Sequence, residues 1–133
     1  MTVVRQGMSK GTLWLDESVF NLEPFLDSRN FRVRRVPTRT PDDDVIQDLL
    51  TNRIFVTKNP KHFLLAAFDF EFGLIGVTDA AMADPAKVAV TISRAYSKRS
   101  LRTYPIPFQL TIMAGGKTQF RELTEATMAK ELR

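Results

Sequence analysis

The chain has 133 residues, 44% apolar and 26% charged, with 19 Lys and Arg against 15 Asp and Glu and a net charge of +4. That size and composition suit one ordinary domain with a real core and exclude a disordered chain. The absence of cysteine and the presence of one histidine, His62, exclude disulfides, thiolate metal sites and a multi-histidine zinc site within one chain.

No apolar run reaches membrane-spanning length, and the first ten residues lack the apolar core of a signal peptide, so a cytoplasmic protein without a membrane partner is expected. The mildly basic balance permits an anionic partner such as RNA without demanding one. Residues 1–11 are polar, contain two glycines and read as a flexible arm. The rest, 12–133, reads as a single domain.

In chain order, TLWLD predicts a buried strand. ESVFNLEPFLDSRN follows with Val19, Phe20, Leu22, Phe25 and Leu26 at helical spacing; Pro24 either kinks this helix or starts a second turn. FRVRRV alternates and predicts a strand with one wet face. PTRTPDDD is a loop into a helix start, with Thr40 as N-cap, Pro41 at the first position and acids at the positive end of the dipole. VIQDLLTN supplies that helix's apolar face. RIFVT reads as a short buried strand, and NPKHFLLAAF as a helix capped by Asn59. Asp69 and Glu71 alternate with Phe68, Phe70 and Phe72 and read as the wet side of a strand or loop. FGLIGVTD predicts a fourth strand. DPAKVAVTISRAYSKRS predicts a helix capped by Asp84, with Val88, Ile92 and Ala95 inside. PFQLTIMAGGKTQFREL predicts a hairpin around Gly115 and Gly116, before a short polar helix.

Strands alternating with helices imply a three-layer α/β/α fold with a mostly parallel central sheet. In such sheets ligands bind beyond the carboxyl ends of the strands. Asp16 and Glu17 stand at the tip of the first strand, Thr57 closes the third with Lys58 and Asn59 beyond it, and Asp79 stands at the tip of the fourth. Asp43 and Asp44 open the second helix. Asp16 reads either as a helix cap or as a ligand of a hard cation; carboxylates at strand tips suit Mg²⁺ or Mn²⁺, which generate hydroxide and neutralise a scissile phosphate. Two basic groups, Arg29, Arg32, Arg34, Arg35 and Arg39 and then Arg94, Lys98, Arg99 and Arg102, read as solvated faces, with Arg39 placed to reach a phosphate backbone. AGGKTQF lacks the spacing of a phosphate loop.

The segments LWLDES and TPDDDVIQDLLTNRIFVTKNPKHF together resemble the small stand-alone PIN-like domains, relatives of toxin–antitoxin ribonucleases. Those proteins open with LLDEN, continue with an acid-started helix and then read vlvTrDkDF. The resemblance covers residues 12–78. It implies a PIN-like fold and metal-dependent RNA cleavage by clustered acids. Asp16 matches the first-strand acid, Asp43 or Asp44 the acid opening the next helix, and Thr57 the closing threonine. Asp79, with Glu17, is a further catalytic or metal-binding acid to help Asp16 and Asp43 or Asp44. Asn59 and His62 stand where the family carries two aspartates. Asparagine brings no charge, and histidine is a poorer magnesium ligand than a carboxylate. Two functions follow: a Mg²⁺- or Mn²⁺-dependent ribonuclease, with Thr57, Lys58, Asn59, His62 and Arg39 on the RNA, or a catalytically degenerate fold that binds protein or nucleic acid. The resemblance also implies an antitoxin partner and a homodimer.

Overall fold

The computed structural model describes residues 11–36, 53–99 and 106–131. Six strands form one sheet: β1 (Gly11–Leu15), β2 (Phe31–Arg35), β3 (Ile54–Thr57), β4 (Gly73–Val77), β5 (Phe108–Ile112) and β6 (Thr118–Glu122). Their spatial order is β2-β1-β3-β4-β5-β6, parallel throughout except for antiparallel β6. The helices are α1 (Glu23–Asp27), α2 (Pro60–Phe70), α3 (Asp79–Met82), α4 (Pro85–Arg99) and α5 (Glu125–Glu131). This is the expected three-layer α/β/α arrangement. The second predicted helix, with Thr40, Asp43, Asp44 and Arg39, lies outside the described residues, as does Arg102.

Side-chain alternation along the strands builds two cores. On the first face, Leu13, Leu15, Ile54, Val56, Ile75, Val77, Phe108, Leu110 and Ile112 meet Val19, Leu22 and Leu26 below and Val88, Ala89 and Ile92 of α4. On the second, Phe55 and Leu74 meet Phe63, Leu64 and Ala67 of α2, with Leu123 and Met128 from the C-terminal segment. Central β3 and β4 are buried at every position, as strands covered on both faces must be.

Local signals explain most element ends. Asp84 caps α4 as expected, its Oδ1 accepting from the Lys87 backbone N–H at 3.2 Å. Pro24 starts a new turn: residues Glu17–Leu22 are a 3₁₀ segment, and α1 begins at Glu23 with proline in its first turn. Gly115 and Gly116, at φ 77° and 79°, turn the chain between β5 and β6, as glycine does without steric penalty.

Two expectations are corrected. The first strand already begins at Gly11, inside the expected arm. Asp69 does not lie on a strand or loop but in the last turn of α2, because Phe63, Leu64 and Ala67 hold that helix against the sheet as far as Phe70. Glu71 follows as its left-handed C-cap at φ 56°.

The crossovers differ in hand. From β1 to β2 the chain steps one way across the sheet over the first face. From β3 to β4 it steps the other way with α2 on the second face, which is the same hand. From β4 to β5 it steps that way again, but α3 and α4 lie on the first face. The last crossover therefore has the opposite hand, an exception to the strong right-handed preference. It packs α4 beside the 3₁₀ segment and α1. No α4 is then available to cover the second face over β5 and β6.

Gly73 sits where a β-carbon would run into the Phe108 ring. Gly73→Ala is expected to destabilise the fold by about 1–3 kcal/mol through overpacking between β4 and β5, read as a lower midpoint in urea unfolding at unchanged slope.

Candidate functional site

The strand order reverses direction between β1 and β3, since β2 lies on one side of β1 and β3, β4 and β5 on the other. A doubly wound sheet opens a crevice at that reversal, because the flanking connections leave in opposite directions. A cavity of about 790 Å³ lies at this carboxyl edge. Asp16 and Glu17 line it from beyond β1, Lys58 to Phe63 from the β3–α2 turn, Gly76 to Thr78 from β4, and Thr111 from β5.

Asp16 holds the N-cap position of the 3₁₀ segment but makes no side-chain capping bond. Its Oδ2 instead accepts two hydroxyls, Ser18 Oγ at 2.7 Å and Thr57 Oγ1 at 2.8 Å. Each hydroxyl in turn accepts a backbone N–H from the next loop: Lys58 N–H reaches Ser18 Oγ at 3.2 Å, and Asn59 N–H reaches Thr57 Oγ1 at 3.0 Å. One carboxylate oxygen thus anchors four donors in two layers, tying the tip of β1 to the tip of β3 and to the turn beyond it. Thr57 is fully buried, so the hydroxyl it contributes is fixed. Among the described residues nothing donates to Asp16 Oδ1. The cap reading holds for the backbone of Asp16 only; its side chain is a clamp with one oxygen to spare.

Asn59 likewise occupies the N-cap position of α2 without a side-chain capping bond; the His62 N–H bonds its backbone carbonyl at 3.1 Å. Its amide is therefore available to the cavity it lines. Pro60 begins α2 and approaches β4 so closely that a β-carbon on Gly76 would stand 2.7 Å from Pro60 Cγ. Glycine at that position lets the helix start sit on the sheet edge, which brings Lys61 and His62 to the cavity.

Asp79 is placed differently from Asp16. It begins α3 behind Thr78, whose hydroxyl accepts the Ala81 N–H at 3.1 Å. Its side chain is 87% exposed and pairs with Lys58 Nζ at 2.8 Å. Of this pair Lys58 lines the cavity, as does Thr78 just before Asp79, whereas Asp79 itself does not. So exposed an ion pair is worth under about 1 kcal/mol, too little to withhold Lys58 from an anionic ligand.

Among the sequence-derived candidates, Asp16, Glu17, Thr57, Lys58, Asn59 and His62 come together here, and Asp79 lies beside them. Arg39, Asp43 and Asp44 are outside the described residues. Among the described residues no group of three His, Cys, Asp or Glu side chains is arranged to hold a metal ion. Sequence reasoning missed Ser18, Lys61, Thr78 and Thr111. Ser18 carried a signal: a hydroxyl two residues after a strand-tip acid is at the spacing of a local side-chain bond. Thr111 carried none, since it reads as one ordinary alternating position of β5. Arg35 is committed elsewhere, bonding Glu23 at 2.6 Å and lying 4.6 Å over the Phe20 ring.

Comparisons with family models, curated proteins and solved structures found no match. Among the described residues no helix is long and apolar enough to cross a membrane.

Thr57→Val keeps the shape of the side chain but removes the hydroxyl that serves Asp16 and the Asn59 N–H. It is expected to lower unfolding free energy by about 1–3 kcal/mol in urea denaturation, whereas Thr57→Ser retains most of the stability.

Proposed function

We propose that the protein is a PIN-like domain of the toxin–antitoxin ribonuclease type, acting on RNA phosphodiesters from the cavity at the β1–β3 reversal. The observation that carries this reading is the Asp16 carboxylate, fixed through Oδ2 by two hydroxyls and left without a donor at Oδ1 among the described residues. The resemblance pairs Asp16 with Thr57, and the 2.8 Å bond between them gives that pairing a physical purpose. A purely structural acid would gain from donors on both oxygens; one oxygen held and one offered is what a ligand needs.

The donor set can be tested against a divalent ion. Asp16 and Glu17 bring hard carboxylate oxygens to the cavity, and no third acid joins them among the described residues. That fits Mg²⁺ or Mn²⁺ held by one or two carboxylates together with substrate phosphate oxygens, rather than a closed protein cage. When bound, such an ion supplies an activated water and neutralises phosphate charge. The chain's own residues do the rest. Lys58 and Lys61 attract and hold the phosphate, Asn59 offers its amide to a non-bridging oxygen or ribose, and the Thr57–Ser18 clamp keeps Asp16 from turning away. By resemblance alone, Asp43 or Asp44 adds an acid; by its place in the basic group after the second strand, Arg39 adds a backbone contact.

A second reading, a binding module without hydrolysis, is favoured by one observation: Asp79, the other strand-tip acid, is paired with Lys58 and stands outside the cavity wall. Asn59 and His62 in place of carboxylates point the same way.

Mixed RNA incubated with the protein and Mn²⁺, with and without chelator, separates the two. The ribonuclease reading expects cleavage that chelator abolishes and that Asp16→Asn loses; asparagine keeps an oxygen acceptor for both hydroxyls, so the fold survives. Thermal unfolding should show Mn²⁺ stabilisation rising to about 2–3 kcal/mol at a hundredfold excess over Kd in the wild type only. RNA bound but uncut at every metal concentration selects the binding reading.

A further inference from the structure

The reversed β4–β5 crossover leaves the second face of the β5–β6 hairpin without α4, and that face is polar. Gln109 and Thr111 of β5 pair with Arg121 and Gln119 of β6, so all four side chains share the side of the sheet opposite Phe108, Leu110 and Phe120. They line an open groove of about 520 Å³ with Glu131 of α5 at its edge. A sheet face in a three-layer fold is normally apolar and covered. Here it is neither.

The groove is organised. Arg121 Nε donates to Gln109 Oε1 at 2.9 Å, and Arg121 Nη2 pairs with Glu131 Oε1 at 2.8 Å. The guanidinium is thereby fixed and its charge matched by a carboxylate. Among the described residues, no partner engages the Thr111 hydroxyl, the Gln119 amide or the amide nitrogen of Gln109. The groove therefore offers neutral donors and acceptors on a rigid floor. That chemistry suits base edges and ribose hydroxyls, not phosphates.

Thr111 lines this groove and also the cavity that holds Asp16, Lys58 and Lys61. The two adjoin at that one residue of β5, and their chemistries are complementary: cationic with carboxylates on one side, neutral and amide-rich on the other. We infer that the β5–β6 groove is a subsite for the base and ribose of single-stranded RNA, adjoining the position of the phosphate held at the β1–β3 reversal. This rests on the RNA reading above and extends it: it assigns Gln109, Gln119 and Thr111 to recognition of the base and ribose next to the held phosphate.

The test is fluorescence anisotropy of the full chain with labelled single-stranded RNA of two lengths, a dinucleotide and an octanucleotide, with the DNA octanucleotide alongside. The variants are Gln119→Ala, Gln109→Ala and Lys61→Ala, the first at an exposed position where folding is unaffected. The RNA octanucleotide should bind more tightly than the dinucleotide and than the DNA strand. Gln119→Ala and Gln109→Ala should each reduce affinity for both lengths about tenfold, the size of one or two lost hydrogen bonds, because the groove adjoins the phosphate and a nucleoside of the dinucleotide reaches it. Lys61→Ala should weaken both lengths and flatten the salt dependence by one phosphate contact. Groove variants that bind the octanucleotide like the wild type, while Lys61→Ala still weakens it, overturn the groove subsite alone. Wild-type protein that binds neither length, or Lys61→Ala that changes nothing, overturns the RNA reading and this inference with it.

Discussion

A single carboxylate oxygen organises the carboxyl edge of this protein's sheet. Asp16 Oδ2 receives the hydroxyls of Ser18 and Thr57, and those hydroxyls receive the N–H groups of Lys58 and Asn59. Parallel strands separated by long crossovers have no turn to hold their tips together. β1 and β3 pair directly only over Trp14–Phe55 and Leu15–Val56, with the Asp16 N–H adding one bond to the Val56 carbonyl at 3.0 Å. Beyond that point, where the sheet reverses direction and opens, side chains must do what the ladder no longer can. Hydrogen bonds to a charged acceptor are the strong ones, worth roughly twice a neutral bond, so an acid is a better anchor here than another hydroxyl.

The same anchor prepares the site. The turn that begins α2 is drawn toward β1, and Gly76 lets Pro60 settle against β4. Lys58, Asn59, Lys61 and His62 then line the same pocket as Asp16 and Glu17. The pocket is therefore a consequence of how two strand tips are joined and of one missing β-carbon. Further along the sheet, the crossover of opposite hand moves α4 to the first face, and the hairpin's other face becomes a polar floor reaching the pocket at Thr111.

Much of this was legible in the sequence, for identifiable reasons. Alternation and apolar runs marked all six strands, because burial leaves few other residue types at those positions. Asp84 and the Gly115–Gly116 pair marked their elements through local backbone chemistry that needs no tertiary context. Asp16, Thr57, Lys58 and Asn59 could be placed on one edge because parallel topology dictates which strand ends coincide. Asp69 was misread because alternating phenylalanines mimic a strand; in fact Phe72 is buried and Phe68 and Phe70 pack from the end of a helix and the residues after it. The Thr57–Asp16 bond was not legible, since it joins residues 41 positions apart whose side-chain directions only the fold determines. Nor was the polar groove, because Gln109, Thr111, Gln119 and Arg121 look like the ordinary wet side of a hairpin until α4 is found on the opposite face.

The central claim is that Asp16 is at once the strut of this edge and the ligand proposed above, through the oxygen that takes no donor among the described residues. Paramagnetic broadening of backbone amide signals by sub-stoichiometric Mn²⁺, in the presence of a non-cleavable dinucleotide, tests it most directly. The account predicts broadening centred on Asp16, Glu17, Lys58, Asn59 and Thr78, and its disappearance in Asp16→Asn while the rest of the spectrum stays in place. Broadening centred elsewhere on the chain, or unchanged by the substitution, would contradict it.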